Sequence, residues 1–298
     1  MHCGFVTLIG RPNVGKSTLL NRLVGTKLAI VSDKPQTTRN RIVGVRRYPD
    51  GQVVFLDTPG IHRPAHRLNV RMVDAAVETI RQADLIALVI DATDARAGRG
   101  ERHVLEYVSR ASAPVVLVMN KVDLVPRPTL LPLIDSWRAR RDLAEIVPVS
   151  ALTGENIDRL ERALLVHLPE GEPLYPDDYL TDQPERFFVA ETVREKVLEF
   201  THAEIPCSSG VIVDRFEEAD ESGVMRLYCS ILVERESQKP IVIGRGGDMI
   251  KRIGTAARLD LEAFFETRVF LDLRVKVRSE WREDDRLLDQ MGVPGRGA

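Results

Sequence analysis

The sequence predicts an α/β protein, in which a mostly parallel sheet with helices on both faces is followed by a smaller α+β domain. Six short apolar runs in residues 1–150 alternate with segments of helical periodicity. Prolines then break this periodicity between about residues 169 and 185. Beyond them, the predicted elements follow the order helix, strand, strand, helix, helix, strand. A chain of 298 residues is long enough for two domains with separate cores.

The composition is that of an ordinary globular protein, with 44% hydrophobic and 29% charged residues. Cys3, Cys207 and Cys229 lie far apart, so neither a disulfide framework nor a zinc site is indicated, and a reducing, cytoplasmic setting fits. No apolar run approaches the ~18 residues of a spanning helix, and no basic region leads into a hydrophobic N-terminal stretch. We therefore expect neither secretion nor membrane insertion. Because the net charge is −2, nucleic-acid binding would need a local basic patch.

The predicted strands of the first domain are FVTLI (5–9), RIVGVRR (41–47), VVFLD (53–57), LIALVID (85–91), VVLVMN (115–120) and IVPVS (146–150). Helical patterns over 72–82, 101–110 and 157–168 separate most of them. Near-continuous apolar strands that alternate with helices are typical of a parallel sheet covered on both faces. Since such sheets bind ligands at the carboxyl ends of their strands, functional motifs should directly follow strands.

The stretch GRPNVGKST (10–18) follows the first strand and precedes a helical pattern over 17–23, and it matches G-x-x-x-x-G-K-[ST]. Its glycines let successive backbone N–H groups face phosphates, and the positive end of the helix acts on the same anion. Lys16 would reach the β- and γ-phosphates, and Ser17 would ligate Mg²⁺. A glycine-rich turn that binds nothing is the alternative, but the strand-loop-helix context favours a phosphate loop. The predicted phosphate-binding residues are Gly10, Asn13, Val14, Gly15, Lys16, Ser17 and Thr18.

Two further segments are predicted to meet the metal and the γ-phosphate. In Asp57-Thr58-Pro59-Gly60, directly after VVFL, the aspartate can hold Mg²⁺ through water and the glycine N–H can meet a γ-phosphate. In PQTTRNR (35–41), a threonine can close over Mg²⁺ while the γ-phosphate is present and release it after hydrolysis. We prefer Thr38 to Thr37, although both threonines could simply initiate the next strand. The predicted metal ligands are Ser17, Thr38 and Asp57, and the predicted catalytic residues are Lys16, Thr38 and Gly60.

A pocket for guanine is predicted from two motifs at strand ends. Asn120-Lys121-Val122-Asp123 directly follows VVLVM. The carboxylate of Asp123 can accept both N1–H and the 2-amino group of guanine, a paired contact that adenine cannot make, while Asn120 and Lys121 brace the pocket. Ser150 and Ala151 follow IVPV and could offer a backbone N–H to guanine O6. Each motif alone is weak, but four motifs in order, each at a strand end, indicate a GTPase.

The second domain is predicted to be a type II KH domain. A helix over 188–200 precedes strand-like runs at 211–216 and 225–234, which a turn at Ser222-Gly223 separates, and an alternating strand follows at 269–277. The turn Gly244-Arg245-Gly246-Gly247 is a GxxG between two helices, which lets the backbone approach the phosphates of a single strand. A GxxG alone is weak, but this one sits behind an apolar run and before a basic helix. The predicted RNA-binding residues are Ile243, Gly244, Arg245, Gly246, Gly247, Lys251 and Arg252.

Charge is unevenly distributed in this domain. Acidic residues outnumber basic ones from residue 181 to the end, but the segment 239–258 is basic. Its charged residues are Lys239, Arg245, Lys251, Arg252 and Arg258, against Asp248. We therefore expect RNA binding to be localised to this stripe and sensitive to salt. The acidic segment REDDRLLDQ (282–290) is interpreted as a solvated helix.

Together, GRPNVGKST, PQTTRNR, DTPG, NKVD and SAL resemble the translation-factor-related bacterial GTPases, and LTDQPERFFVAETVREK (180–196) resembles the junction into the RNA-binding domain of the Era family. The resemblance covers nearly the whole chain. The prolines between residues 169 and 185 agree with it, so we expect a GTPase domain at 1–170, a proline-rich linker at 171–185, and a KH domain with a C-terminal tail at 186–298. The resemblance implies a GTP/GDP switch that binds the 3′ end of small-subunit ribosomal RNA and acts on the pre-30S particle, and we expect a cytoplasmic monomer.

The resemblance also shapes the expected chemistry. Ile61 follows DTPG at the position where Ras-like enzymes carry the glutamine that orients the attacking water. We therefore expect intrinsic hydrolysis at or below about 10⁻⁴ s⁻¹. In related GTPases, the asparagine that matches Asn13 helps place K⁺ against the phosphates. Asn13 is equally interpretable as a residue that stabilises the turn, and the sequence does not separate these alternatives.

A second function stays open, in which the GTPase acts at the membrane surface or in tRNA modification and its C-terminal domain is a docking module. Tandem-GTPase relatives would carry a second G-x-x-x-x-G-K, and this sequence contains none. A tRNA-modifying relative would end in a reactive cysteine near its C-terminus, whereas the last cysteine here is Cys229. Peripheral attachment to the inner face of the membrane is associated with the family, but no strongly basic amphipathic helix is evident. Trp137 and Trp281 are predicted to be packing residues. Pro64, between His62 and His66, argues against a helical metal pair.

Overall fold

The structure, a computed structural model, describes residues 1–34, 36–61, 64–94, 99–219, 221, 223–293 and 295. The chain divides into two compact units. The first unit comprises Met1–Ala29, Thr38–Ala65 and Asn69–Asp182. The second unit comprises Ile30–Thr37, His66–Leu68 and Gln183–Ala298. Two short segments from the first half of the sequence therefore pack within the second unit.

The first unit is built on a six-stranded sheet with the order β2-β3-β1-β4-β5-β6. Its strands are β1 (His2–Ile9), β2 (Ile42–Tyr48), β3 (Gly51–Asp57), β4 (Leu85–Asp91), β5 (Val115–Asn120) and β6 (Glu145–Pro148). Strand β2 is antiparallel to β3, because a two-residue turn joins them, and the other neighbouring pairs are parallel. The predicted mostly parallel sheet is confirmed.

The α-helices described beside this sheet are α1 (Lys16–Val24), α2 (Arg67–Gln82), α3 (Arg99–Val108), α4 (Leu130–Arg138) and α5 (Ile157–Val166). Helix α2 begins five residues before the predicted start at residue 72. Helix α4 escaped prediction because its short sequence contains Pro132, which a first helical turn tolerates since its N–H would have no partner there. Trp137 of α4 is 2% exposed in the core, which confirms that it is a packing residue.

The proline-rich segment is held against the first unit as far as Asp182. The side-chain carbonyl of Gln52 accepts from the backbone N–H groups of Leu174 and Tyr175 at 2.8 and 2.9 Å, and its amide donates to the Tyr175 carbonyl at 2.8 Å. Val45 of β2 donates its N–H to the Leu180 carbonyl at 2.8 Å. The Tyr175 and Tyr179 rings stack with centroids 4.6 Å apart. This segment is therefore fixed along β2 and β3.

The second unit contains a three-stranded sheet, β7 (Gly210–Glu217), β8 (Val224–Val233) and β9 (Arg268–Val277), in which central β8 is antiparallel to β7 and parallel to β9. Its helices are α6 (Glu185–Phe200), α7 (Ile205–Ser208), α8 (Lys239–Ile243), α9 (Asp248–Phe265) and α10 (Asp285–Gln290). Apolar residues of α6 and α9, such as Val193 and Leu261, form one core with Leu227 of β8. With α7 and α10 as additions, the predicted αββααβ order is present. Of the predicted turn between β7 and β8, Ser222 lies outside the described residues.

The acidic segment at residues 282–290 is more than a solvated helix, which corrects the expectation from sequence. Trp281, directly before it, is completely buried, as predicted, and donates its indole N–H to the Ser208 carbonyl at 2.9 Å. Leu288 is also completely buried. Arg282 pairs with Glu234 at 2.5 Å. The segment therefore packs by an apolar face and keeps its acidic side chains at the surface.

Neither a membrane span nor a metal cluster is found among the described residues. No helix in this part of the chain is long and apolar enough to cross a bilayer. No group of three His, Cys, Asp or Glu side chains there could hold a metal ion. His66 lies 3.4 Å from Glu283, and His62 falls outside the described residues.

Candidate functional site

The phosphate-loop motif lies where β1 ends and α1 begins, as predicted. Gly15 has a φ of 95°, and a Cβ atom there would lie 2.2 Å from the Asn120 side-chain amide. A Cβ at Gly10 would lie 2.3 Å from the Val89 carbonyl oxygen. Because side chains at these positions would collide with their neighbours, both glycines are required by the packing of the loop, and Gly15 is required by its left-handed backbone conformation as well.

Lys16 is buried at the base of this loop, with only 6% of its surface exposed. Its Nζ donates to the backbone carbonyls of Gly10 at 3.2 Å and Arg11 at 2.9 Å. Burial lowers the pKa of Lys16 to about 8, while the charge of Asp57 opposes this shift. An anionic ligand beside Lys16 would favour the charged form of its amine. The positive N-terminus of α1 would attract the same anion.

The three residues predicted to ligate a metal lie side by side. Ser17 Oγ is 2.7 Å from Thr38 Oγ1 and donates to Asp57 Oδ2 at 2.8 Å. Asp57 is completely buried, and its Oδ1 has no hydrogen-bond partner. Burial raises the pKa of Asp57 to about 6, although Lys16 and Ser17 lower it. A buried carboxylate oxygen beside two hydroxyls fits the oxygen ligands that Mg²⁺ prefers.

Thr37 has a different environment from Thr38. Its hydroxyl donates to the Lys34 carbonyl at 2.7 Å, within its own loop. Thr37 also belongs to the second unit, whereas Thr38 belongs to the first. The structure thus places Thr38, and not Thr37, beside Ser17.

The DTPG turn packs directly on the phosphate loop. A Cβ at Gly60 would lie 2.6 Å from the Pro12 nitrogen, so the two turns touch at this glycine. Thr58 donates its hydroxyl to the Leu8 carbonyl at 2.9 Å. Ile61 is 2% exposed and packs in the hydrophobic core with Ile9 and Ile86. Its apolar side chain therefore cannot orient water at the site.

Asn120 connects the three loops that form the predicted guanine pocket. Its amide donates to the Val14 carbonyl at 2.8 Å, and its carbonyl accepts from the Ala151 N–H at 2.9 Å. Lys121 donates to the Asn13 carbonyl at 2.8 Å and pairs with Asp91 at 2.6 Å. The positions predicted to brace the pocket are thus brought together.

Of the groups predicted to contact the base, the Asp123 side chain is exposed, whereas the backbone N–H groups of Ser150 and Ala151 are already hydrogen-bonded. Asp123 lies in a short 3₁₀ turn and is exposed. The backbone N–H groups of Ser150 and Ala151 donate to the Glu155 carbonyl at 3.1 Å and to Asn120 at 2.9 Å. The expected contact of this segment with guanine O6 therefore stays a prediction.

One ion-pair cluster at the phosphate loop was not anticipated. Arg11 donates to Asp94 at 2.8 Å and to the carboxylate of Glu101, at the start of α3. Glu101 is 7% exposed, and these hydrogen bonds, chiefly the one to Glu101, raise the pKa of Arg11. Sequence offered only an arginine in the loop and an acid in the first turn of α3, with nothing to indicate that they meet.

The GxxG turn of the second unit lies between α8 and α9, as predicted. Gly244 has a φ of 78°, and a Cβ there would lie 1.9 Å from Asp248 Oδ1. Gly246 and Gly247 have φ values of 57° and 85°, and nothing lies within 4 Å of a Cβ at either position. Open space beside two left-handed glycines is what a closely approaching nucleic-acid backbone needs.

The other residues predicted to bind RNA surround this turn. Arg245, Lys251 and Arg252 are exposed, and the guanidinium of Arg252 lies 4.1 Å from the centroid of the Phe200 ring. Ile243 is half-buried and packs against the core of the unit. The predicted stripe thus presents cations beside the open glycines.

Fold and site define a phosphate-loop GTPase domain followed by a GxxG-containing domain of the KH type. Residues 5–121 match a family model described as 50S ribosome-binding GTPase, and residues 204–282 match a KH domain model. The chain is 51% identical over 291 residues to GTPase Era of Geotalea daltonii, with 98% of this chain and 97% of that protein covered. It is 48% identical over 289 residues to GTPase Era of Geobacter metallireducens, with 97% of each covered.

Two solved structures match over almost the full length. A variant of Aquifex aeolicus Era bound to GDP and AlF₄⁻ is 42% identical, with a TM-score of 0.95, and 99% of this chain and 100% of that one are covered. Era in complex with MgGDPNP and nucleotides 1506–1542 of 16S ribosomal RNA is 41% identical, with the same TM-score of 0.95 and the same coverage of 99% and 100%. The chain belongs to the Era family of GTPases.

Proposed function

We propose that this GTPase is a switch that binds the 3′ region of small-subunit ribosomal RNA through its GxxG turn and acts in assembly of the 30S subunit. The observation that carries the proposal is the presence, in one chain, of the Ser17, Thr38 and Asp57 oxygen cluster and of a GxxG turn open to solvent. The related Era structure, which holds both MgGDPNP and a 16S ribosomal RNA fragment, supports the combination.

In this proposal, different described residues of the first unit bind the phosphates of GTP and its Mg²⁺. Lys16 and the backbone N–H groups of residues 13–18 hold the β- and γ-phosphates, and the N–H of Gly60 meets the γ-phosphate. Ser17 and Thr38 hold Mg²⁺ directly, and Asp57 holds it through water. When bound, Mg²⁺ neutralises charge that develops on the phosphates. Because Ile61 is packed in the core, we propose intrinsic turnover at or below about 10⁻⁴ s⁻¹.

We further propose that K⁺ acts at Asn13 in place of an arginine finger. Asn13 has a φ of 64°, and its carbonyl is fixed by Lys121. The substitution Asn13→Gly would keep this backbone conformation and lose only the side chain. We expect the wild type to hydrolyse GTP at least tenfold faster in KCl than in NaCl, and the variant to show no preference. Equal wild-type rates in both salts would leave Asn13 as a turn residue.

The RNA site can be tested by adding one charge at Gly246. A side chain there meets nothing within 4 Å, and Asp and Asn both tolerate a φ near 57°. We expect Gly246→Asp to weaken binding of a single-stranded oligonucleotide from the 3′ end of small-subunit ribosomal RNA by at least tenfold. The neutral Gly246→Asn should lose much less, because it does not repel phosphate.

Two controls make that comparison decisive. GTP hydrolysis without RNA and thermal unfolding should be unchanged in both variants, since the turn lies in the second unit and its glycines face open space. If the Asp variant bound the oligonucleotide as the wild type does, the GxxG would be a structural turn, and the RNA-binding proposal would fail.

We propose that the chain works as a monomer in the cytoplasm, on the pre-30S particle. The alternative, a GTPase that acts at the inner face of the membrane or in tRNA modification with its C-terminal domain as a docking module, is favoured by no observation on the described residues. Peripheral membrane association therefore stays outside the proposed function.

A further inference from the structure

One arginine of α6 is buried as deeply as a core leucine. Arg194 is 2% exposed and is among the largest fully buried side chains of the described chain. Its Nε and Nη2 donate to the two carboxylate oxygens of Glu191, one helical turn earlier, at 2.7 and 2.6 Å. This fork holds the guanidinium in a single orientation.

The same guanidinium reaches the segment Ile30–Thr37, which belongs to the same unit as α6. Its Nη1 lies 3.5 Å from the Gln36 carbonyl oxygen, and its Nη2 donates to the Thr37 carbonyl. The neighbouring Glu195 accepts from the backbone N–H of Val31 at 3.0 Å. One face of α6 therefore fixes the segment near both of its ends.

A buried arginine is an unfavourable choice if its only role is to fill space in the core. Taking an arginine out of water carries a desolvation penalty that its carboxylate partner only partly offsets, and an apolar side chain would fill the same volume without that penalty. What an apolar side chain cannot supply is donors for the two carbonyls. The buried guanidinium is therefore best explained by its contacts with the carbonyls of residues 36 and 37.

The next residue in the chain is Thr38, which lies in the first unit. Its hydroxyl is 2.7 Å from that of Ser17, in the oxygen cluster beside Asp57. Because a peptide bond joins Thr37 to Thr38, fixing the Thr37 carbonyl limits the orientations open to the Thr38 backbone. Arg194 therefore holds the residue next to Thr38 and makes no hydrogen bond to the oxygen cluster itself among those described.

We propose that Arg194, oriented by Glu191, is a positioning residue for Thr38, so that the first helix of the RNA-binding unit stabilises the GTP-bound arrangement of the nucleotide site. This inference rests on the proposed role of Thr38 as a Mg²⁺ ligand that engages while the γ-phosphate is present. It adds the identity of the side chain through which the RNA-binding unit and the nucleotide state influence each other.

The proposal predicts a selective defect. Nucleoside triphosphate binding needs Thr38 in place and gains from Arg194, whereas GDP binding does not. Loss of Arg194 should therefore weaken binding of a GTP analogue and leave that of GDP unchanged. Since coupling between two binding sites is reciprocal, the preference of RNA binding for the triphosphate state equals the factor by which RNA raises the analogue-to-GDP affinity ratio, and loss of Arg194 should reduce this factor.

The test compares Arg194→Met with Arg186→Met in the full chain. Arg186 lies on the same helix but is exposed and contacts the Val213 carbonyl, so this control removes an arginine from α6 without affecting residues 30–37. Affinities for GDP and for a non-hydrolysable GTP analogue are measured with Mg²⁺, and oligonucleotide affinity is measured with each nucleotide. We expect Arg194→Met to lower the analogue-to-GDP affinity ratio at least fivefold and the control to leave it unchanged.

A merely structural role would give a different pattern, in which both nucleotides lose affinity together as the protein destabilises. If Arg194→Met does not fold, Arg194→Lys takes its place, since lysine keeps the charge but lacks the fork that reaches both Glu191 and the carbonyls. An unchanged analogue-to-GDP ratio in the folded variant overturns the inference.

Thr38→Ala separates this failure from failure of the proposed function. If Thr38→Ala lowers the analogue-to-GDP ratio and the Arg194 variant does not, Thr38 keeps its role and Arg194 has none in positioning it. If Thr38→Ala leaves the ratio unchanged, the proposed metal role of Thr38 falls, and the inference falls with it.

Discussion

At the scale of single residues, the nucleotide site is marked by two oppositely charged groups held out of water. Burial lowers the pKa of Lys16 to about 8 and raises that of Asp57 to about 6. Both shifts mean that burial disfavours the charged form of each group more than the surrounding protein favours it. A polyphosphate beside Lys16 and a divalent cation beside Asp57 would each favour the charged form. Such perturbed groups at a loop between strand and helix are typical of functional sites.

The choice of base belongs to this scale as well. Asp123→Asn should shift preference from guanine to xanthine, because the amide presents a donor where xanthine carries an acceptor. We expect the GTP affinity to fall about 10²-fold or more while XTP is gained as a ligand, measured by competition against a fluorescent nucleotide. Asp158→Asn, an exposed change in the first turn of α5, is the matched control. A variant that still prefers GTP would refute the base-reading role.

Local motifs were predictable from sequence, whereas long-range partners were not. The phosphate loop, DTPG and NKVD are short runs whose chemistry and strand-end position can be interpreted directly. Arg11 and Glu101 are 90 positions apart, and Thr37 and Arg194 are 157 apart. Nothing in a single sequence indicates that such residues meet, because their contact depends on how helices pack onto the sheet. The burial of Ile61 could not be predicted either, because it also depends on packing against residues that are distant in the sequence.

At the scale of elements, apolar periodicity located the sheets well and the short or interrupted helices poorly. Strands β3, β4 and β5 match or nearly match the predicted runs, because they are buried on both faces and read as continuous apolar segments. Helix α4 was hidden by its proline, whereas α2 was predicted but its start was placed five residues too late, in part because Arg67, Asn69 and Arg71 interrupt the apolar pattern there. Strand β6 ends at Pro148, before the predicted 150, since the chain there turns into the Ser150 loop.

Strand β8 offers a test of the second core. Cys229 is 1% exposed, and burial raises its pKa to about 12. Because the folded pKa lies above the ordinary thiol value of 9.0, this thiol contributes stability that is present below pH 9 and is lost as pH rises toward 12. At pH 8 we expect iodoacetamide to modify half-buried Cys207, and Cys229 only in denaturant, as measured by peptide mass spectrometry. Equal labelling of both in the native protein would contradict this core.

At the scale of the whole molecule, the proposed nucleotide site and the proposed RNA site lie in different units, and the boundary between these units is crossed more than once along the sequence. The first unit holds Lys16, Ser17, Thr38 and Asp57, and the second holds the GxxG turn together with Ile30–Thr37. A segment that ends one residue before Thr38 is therefore part of the unit that carries the proposed RNA site. In a chain of net charge −2, we expect the basic stripe around that turn to make RNA binding local and salt-dependent.

The most direct test of this account is the affinity of the full chain for a single-stranded oligonucleotide that matches the 3′ end of small-subunit ribosomal RNA. It is measured at one fixed salt concentration, first with a non-hydrolysable GTP analogue and Mg²⁺, then with GDP and Mg²⁺. We predict binding at least fivefold tighter with the analogue, since both ligands would favour the same arrangement of residues 31–38. Equal affinity in the two states would contradict a nucleotide switch that controls RNA capture.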